Sequence, residues 1–179
     1  MYDYKRHLPH WQPDNRPVFL TWRLHGSWPR DVLSVQRDGS PGEQFVRFDR
    51  ELDQAKLGPT WLTQPEIARL VIEAFQYGDV TLKRYTLAEF VIMPNDVHLL
   101  LWPQVSLAKI TQQIKGYTAR RANLILGRKR QPFWQDESYD HWVRDRGEMF
   151  RIARYIVHNP ARAGLVKRPE DWPWSGAKR

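Results

Sequence analysis

The sequence predicts an α+β fold of the ferredoxin-like type, in which a βαββαβ order forms an antiparallel sheet and one further C-terminal helix follows. Apart from one irregular insertion, strand-like and helix-like patterns alternate in the order strand, helix, strand, strand, helix, strand, helix. Pro94 and Asn95 lie between the two central strand patterns, which indicates an antiparallel hairpin. A length of 179 residues fits one domain, 1–179, with its own core.

The N-terminal third contains one strand between two irregular segments. An arm over residues 2–17, rich in Pro, His and Trp, leads into a strand over residues 18–24, which Gly26 ends. Residues 29–60 mix charges with glycine and proline and predict an irregular insertion, with a short helix near residues 49–56. We assign no chemistry to this insertion.

Two helices are indicated by start signals and by apolar spacing. In the first, Thr63 is the predicted N-cap, Pro65 lies in the first turn, and the helix ends near Gly78. Its core positions are Ile67, Leu70, Val71 and Ala74. The second helix runs from Ser106 to Gly127. Its predicted core positions are Leu107, Ile110, Ile114 and Tyr117, and its predicted exposed positions are Lys109, Lys115, Arg120 and Arg121.

The central hairpin pairs a strand over residues 85–93 with a hydrophobic strand that begins at Asp96. Because side chains alternate along a strand, Asp96 and His98 share one face. Val97, Leu99 and Leu101 share the opposite, core-facing side. Burying an acid and an imidazole is costly unless they are paired or bind a metal. Two interpretations therefore stay open: a structural Asp–His hydrogen bond, or metal ligation and catalysis.

The last strand covers residues 139–144, and the last helix covers residues 148–158 with core positions Met149, Ile152, Ala153 and Ile156. A second face of this helix holds Arg151, Tyr155 and Asn159. Pro160 predicts that the helix ends at about Asn159, since a residue before proline is disfavoured in the α region. Taken alone, Tyr155 is also an ordinary residue of an amphipathic helix.

The charge distribution points to nucleic acid. Residues 1–104 contain 12 basic and 13 acidic side chains, whereas residues 105–179 contain 16 and 7, so the net charge of +8 comes from a C-terminal half and tail of +9. Aromatic residues in that half, such as Trp142, could stack on bases while the cations bind phosphates. A basic surface that serves only solubility is the alternative.

The cellular setting follows from what the sequence lacks. There is no cysteine, which excludes disulfides and thiolate chemistry and fits a reducing compartment. No secretory signal pattern opens the chain, and no apolar run approaches the length of a membrane span. We expect a cytoplasmic, nucleoid-associated protein with no membrane partner.

Two separated motifs, MPNDVHLLL (93–101) and YIVHNPARAGLV (155–166), resemble the single-tyrosine HUH transposases, specifically the REP-associated tyrosine transposases. Further blocks in the same order extend the resemblance over nearly the whole chain: FLTWRL, IKGYTAR, FWQDESYDHW and PEDWPWS. In this family the strand motif is His-hydrophobic-His. Both histidines and a polar residue four positions after the nucleophilic tyrosine hold a divalent metal.

The resemblance implies a role for each matching residue. Tyr155 corresponds to the catalytic nucleophile, while His98 and Asn159 correspond to metal ligands. Tyr117 lies in the preceding helix and does not match. Asp96 stands where the family has its first histidine, and a carboxylate suits Mg²⁺ or Mn²⁺. The implied activity is cleavage and transfer of single-stranded DNA at palindromic hairpins through a 5′-phosphotyrosine.

The resemblance and the charge together name the expected partner, single-stranded or hairpin DNA, bound by a monomer or a homodimer. The candidate DNA-binding residues are Lys115, Arg120, Arg121, Trp142, Arg144, Arg146 and Arg151. The substitution at Asp96 keeps a rival function open, that of a domesticated hairpin-binding protein without catalysis. A nuclease that uses water would leave the Tyr155 match unexplained.

Overall fold

A computed structural model describes residues 16–27 and 58–176 of the chain. Nearly all of the predicted N-terminal arm and of the insertion at 29–60 lies outside these described residues. The short helix predicted near 49–56 lies outside them as well.

Four strands form one antiparallel sheet in the order β2-β3-β1-β4. Their bounds are Val18–Arg23 for β1, Tyr85–Ile92 for β2, Asp96–Pro103 for β3 and Tyr139–Trp142 for β4. The two longest strands, β2 and β3, are the predicted hairpin, and β1 pairs with the other edge of β3. The predicted ferredoxin-like arrangement is confirmed.

Helices cover both faces of this sheet. Helices α1 (Pro65–Gln76) and α2 (Leu107–Ile125) pack on the face of Val97, Leu99 and Leu101, as the strand alternation predicts. Helix α3 (Arg146–Arg162) packs on the opposite face. Its apolar stripe there is the predicted one, with Met149, Ile152, Ala153 and Ile156. Both sides of β3 are therefore buried, and the side that carries Asp96 and His98 lies beneath α3.

The predicted end of the last helix at Asn159 is wrong, because α3 continues through Pro160 to Arg162. A proline inside a helix removes one backbone hydrogen bond, but Pro160 is only two residues from the helix end. Three later amides still bond backward: Ala163 to Asn159, Gly164 to Ala161 and Leu165 to Pro160. Pro160 itself is buried, so packing offsets the missing bond.

Two local predictions on the other helices are also wrong. The N-cap of α1 is Gln64, and the Thr63 hydroxyl instead donates to the Thr60 carbonyl at 2.7 Å. Tyr117 is 44% exposed and is not a core residue of α2. After α1 the chain makes a π-helical turn, Tyr77–Thr81, before it enters β2.

The C-terminal segment returns to the sheet and covers the free edge of β2. The Trp172 indole donates to the Ile92 carbonyl at 2.9 Å, and the Ile92 amide donates to the Trp174 carbonyl at 2.8 Å. A β-bridge joins Val91 to Ser175. Within residues 16–27 and 58–176, no helix combines the length and apolarity needed to cross a membrane.

Candidate active site

The site begins with two polar residues of β3 that are wholly buried. Asp96 and His98 have 0% exposed side chains, and His98 Nε2 lies 3.0 Å from Asp96 Oδ2. The imidazole stacks on Phe19 of β1, with ring centroids 5.8 Å apart and an interplanar angle of 14°. This stacking fixes the plane of the imidazole and so the direction in which Nε2 points.

Helix α3 brings Tyr155 and Asn159 to the same place, because residues four apart share a helix face. Asn159 is 1% exposed, and its Nδ2 lies 3.1 Å from His98 Nε2 and 3.4 Å from the Tyr155 hydroxyl. The Tyr155 ring packs nearly perpendicular to the rings of Phe19 and His98, with interplanar angles of 82° and 83°. Phe19 and His98 therefore hold the tyrosine ring in place. The four predicted site residues, Asp96, His98, Tyr155 and Asn159, form one contiguous group.

A cation holds Asp96 in its charged form. Arg23 lies directly opposite Asp96 in the β1–β3 register, and its Nη2 is 3.7 Å from Asp96 Oδ2. Burial by itself would raise the pKa of the Asp96 carboxyl, but the charge of Arg23, followed by the charge and hydrogen bond of His98, keeps this pKa below its usual range. The carboxyl is thus an anion at neutral pH.

The donor set fits a hard divalent cation. Asp96 Oδ1 has no hydrogen-bond partner among the residues that the structure describes, which leaves a buried acceptor available. Asp96 Oδ2 and Asn159 Nδ2 both lie near His98 Nε2, at 3.0 and 3.1 Å. Neighbouring ligands of an octahedral Mg²⁺ are also about 3 Å apart, given bonds of about 2.1 Å. Asn159 would contribute its amide oxygen after a half-turn of the amide.

Among the described residues, no group of three or more His, Cys, Asp or Glu side chains is arranged so that it could hold a metal ion. The candidate ligand set includes only one acid and one imidazole, and the third ligand is an amide. It therefore suits Mg²⁺ or Mn²⁺ better than a metal that prefers nitrogen or sulfur ligands.

A basic cleft of about 330 Å³ opens beside the tyrosine. Its lining residues all come from α3: Arg151, Arg154, Tyr155, His158 and Arg162. The Arg162 guanidinium lies over the Tyr155 ring, 5.0 Å from its centroid. Tyr155 is half-buried, whereas the four nitrogen-bearing side chains are exposed. A phosphodiester in this cleft would meet cations on several sides of the tyrosine.

The predicted DNA-binding residues do not form one surface. Arg151 lines the cleft, and the exposed Arg144 and Arg146 lie at the start of α3. Arg120 and Arg121 are exposed on α2, across the sheet from Tyr155. The Lys115 ammonium donates to three backbone carbonyls of residues 135–137 at 2.9–3.1 Å.

Trp142 also has a role inside the fold, because its half-buried ring packs against the core on the α1–α2 face. Sequence reasoning missed Arg154, His158 and Arg162. These three residues follow one another at intervals of four, and this helical spacing beside Tyr155 is the signal that could have found them. It also missed Arg23, whose position opposite Asp96 depends on a strand register that the sequence does not show.

Comparison with known proteins identifies the family of the chain. The family described as "Transposase IS200 like" matches residues 67–159, more than half of the chain and a span that contains Asp96, His98, Tyr155 and Asn159. The chain belongs to the IS200-like transposase family. This confirms the transposase resemblance that the sequence motifs indicate. No curated protein matches this transposase.

One solved structure shows the shared fold. A REP-associated tyrosine transposase bound to a REP hairpin is 19% identical, with a TM-score of 0.58 over 98% of this chain and 82% of that chain. A protein from Deinococcus radiodurans, provisionally named a transposase, is 16% identical over 87% of this chain and 95% of that chain. The TM-score of that second match is 0.45.

Proposed function

We propose that this transposase cleaves and transfers single-stranded DNA at palindromic hairpins, with Tyr155 as the nucleophile. The observation that carries the proposal is the connected set of contacts from Tyr155 to Asn159, His98 and Asp96, each 3.4 Å or shorter. A tyrosine hydroxyl directly beside a set of hard-metal donors suits attack on a phosphodiester. The hairpin substrate is proposed because the related structure holds a REP hairpin.

In the proposed reaction the Tyr155 oxygen attacks the scissile phosphorus and forms a new P–O bond. The bond from phosphorus to the 3′-oxygen breaks, which leaves a 5′-phosphotyrosine and a free 3′-hydroxyl. The tyrosine proton leaves to water, and the 3′-oxygen takes a proton from water. A second 3′-hydroxyl reverses these steps and joins strands, so no nucleotide is consumed.

The surrounding residues position the reacting groups. Phe19 and His98 hold the Tyr155 ring, and the cations of the cleft would bind the phosphates on either side of the scissile bond. Asp96, His98 and Asn159 would hold Mg²⁺ or Mn²⁺, which supplies positive charge for the phosphate oxygens and the leaving oxygen.

A gel for covalent adducts tests the proposal. Wild-type protein, incubated with hairpin DNA and Mn²⁺ and then denatured, should form a protein–DNA adduct. Tyr155→Phe should abolish this adduct and leave hairpin affinity within about twofold, since it removes only the hydroxyl, whose hydrogen bond from Asn159 is long at 3.4 Å and contributes about 0.5 kcal/mol. Tyr117→Phe is the matched control and should form the adduct normally. An adduct that persists in Tyr155→Phe, or that depends on Tyr117, would contradict the assignment.

One observation favours a second function, hairpin binding without cleavage. Arg23 already neutralises Asp96 inside the fold, so the buried carboxylate has a partner without any metal. Under this alternative, the wild type and Tyr155→Phe would bind hairpins equally and neither would form an adduct across a panel of hairpins and metals.

A further inference from the structure

Arg23 is a buried cation at the edge of the proposed metal site. Its side chain is 6% exposed, and it faces Asp96, which is 0% exposed, across the β1–β3 pair. The contact is made to Asp96 Oδ2, at 3.7 Å from Arg23 Nη2. The same Oδ2 lies 3.0 Å from His98 Nε2. The oxygen that faces the other candidate ligands is therefore also the oxygen that faces the guanidinium.

A buried carboxylate and a buried guanidinium each need an opposite charge. At 3.7 Å each provides the other with an opposite charge while no metal is bound. A divalent ion on Oδ2, with a bond of about 2.1 Å, would lie within about 6 Å of Arg23 Nη2. Two cations at that separation repel strongly in a buried environment.

The backbone of Arg23 cannot relieve this repulsion easily. Arg23 is the last residue of the inner strand β1, where it pairs with Asp96 on one side, and its carbonyl accepts a hydrogen bond from the Gln135 amide at 2.9 Å on the other. The next residue, Leu24, donates its amide to the Asn95 carbonyl at 2.8 Å. Metal binding must therefore either displace the Arg23 side chain or proceed against its charge.

We propose that Arg23 competes with the divalent metal for Asp96 and thereby sets the metal affinity of the site. The inference rests on the metal ligands of the proposed function. It makes Arg23 a positioning residue that acts through Asp96, and it predicts that a neutral side chain of similar length at position 23 produces a tighter metal site.

The test measures Mn²⁺ binding to DNA-free protein, with the free ion followed by electron paramagnetic resonance. Arg23→Met should bind Mn²⁺ at least tenfold more tightly than wild type, while Arg23→Lys, which keeps the charge, should remain within threefold. Asp96→Asn should bind weakly. In the Asp96→Asn background, Arg23→Met should change the affinity less than threefold, because the carboxylate for which the two cations compete is gone.

The melting temperature is a second readout, and it is needed because removal of one partner of a buried ion pair destabilises a protein. Arg23→Met and the alternative neutral variant Arg23→Gln should both melt at lower temperature than wild type without metal. Both should then gain more in melting temperature than wild type does when Mn²⁺ is added.

Equal Mn²⁺ affinities in wild type, Arg23→Met and Arg23→Gln would overturn the inference. So would a gain that persists undiminished in the Asp96→Asn background, because that result would mean general repulsion and not competition. The adduct gel separates this inference from the proposed function. An adduct with unchanged Mn²⁺ affinity in the variants refutes only the role of Arg23, whereas tighter Mn²⁺ binding without any adduct refutes only the cleavage activity.

Discussion

The cleft beside Tyr155 makes a quantitative prediction about the salt dependence of DNA binding. We expect the triple variant Arg151→Gln, Arg154→Gln and Arg162→Gln to lose the phosphate contacts of the cleft, since all three side chains line it. Each phosphate contact contributes about 0.7 to 0.9 to the slope of log affinity against log salt. Three lost contacts should therefore reduce the slope by about 2 to 3.

The assay is fluorescence anisotropy of a labelled hairpin over a series of KCl concentrations. The hairpin should carry a non-cleavable linkage so that binding is measured without reaction. Arg69→Gln is the matched control, because Arg69 is exposed on α1, on the opposite face of the sheet. Its replacement should leave the slope unchanged.

A second variant tests which face of the protein binds DNA. Arg120 and Arg121 are exposed on α2, across the sheet from Tyr155. Their joint replacement by glutamine should reduce the slope by less than about 1. If the α2 variant lost more slope than the cleft variant, the DNA would follow the other face and the assignment of the cleft would be refuted.

Three further predictions concern the metal, the packing and the response to pH. Asp96→His should shift metal preference in cleavage from Mg²⁺ and Mn²⁺ toward Co²⁺ and Ni²⁺. Asp96→Ala should lose metal-dependent cleavage but still bind hairpins. Identical metal profiles in the wild type and both variants would exclude Asp96 as a ligand. Gly78→Ala should lower the free energy of unfolding by about 1–3 kcal/mol in urea denaturation, because the added methyl group would overlap the Tyr85 ring. An unchanged free energy of unfolding would show that the π-helical turn adapts to the methyl group. Burial alone would raise the pKa of the Glu148 carboxyl. The carboxylate accepts a hydrogen bond from the Arg144 amide and contacts His141 at 2.9 Å, and these contacts lower the pKa below its usual value. The stabilisation of the fold by Glu148 should therefore be complete above the unfolded-state pKa of about 4.3 and disappear as pH falls through the lower folded-state pKa. The urea midpoints of wild type and Glu148→Gln should differ at pH 7 and converge in acid.

The local parts of the site were predictable from sequence. Strand alternation alone places Asp96 and His98 on one face, and helical spacing alone places Tyr155 and Asn159 on one face. That these two faces meet came from the family resemblance, because no local pattern specifies which helix packs over which strand. The structure supplies the contact itself, from Asn159 to His98 at 3.1 Å.

The features that sequence reasoning missed depend on distant partners. Arg23 faces Asp96 only through a register between strands more than 70 positions apart. Lys115 and Trp142 are of residue types that often bind nucleic acids. In the structure the Lys115 ammonium binds the backbone carbonyls of residues 135–137, and the Trp142 ring packs against the core. The local rule for the residue before a proline predicts that the helix ends at Asn159, because this rule takes no account of tertiary packing. In the structure Pro160 is buried and the helix continues to Arg162.

The return of the C-terminal segment to β2 has a consequence for association between molecules. An uncovered edge strand offers unpaired amides and carbonyls to any other extended chain and is a common starting point for aggregation. Here the contacts of Ile92 with Trp172 and Trp174, together with the bridge from Val91 to Ser175, occupy part of that edge. A chain cut before Trp172 would leave these β2 groups open for intermolecular strand pairing. Residues 172–175 therefore shield this part of the β2 edge from pairing with another chain.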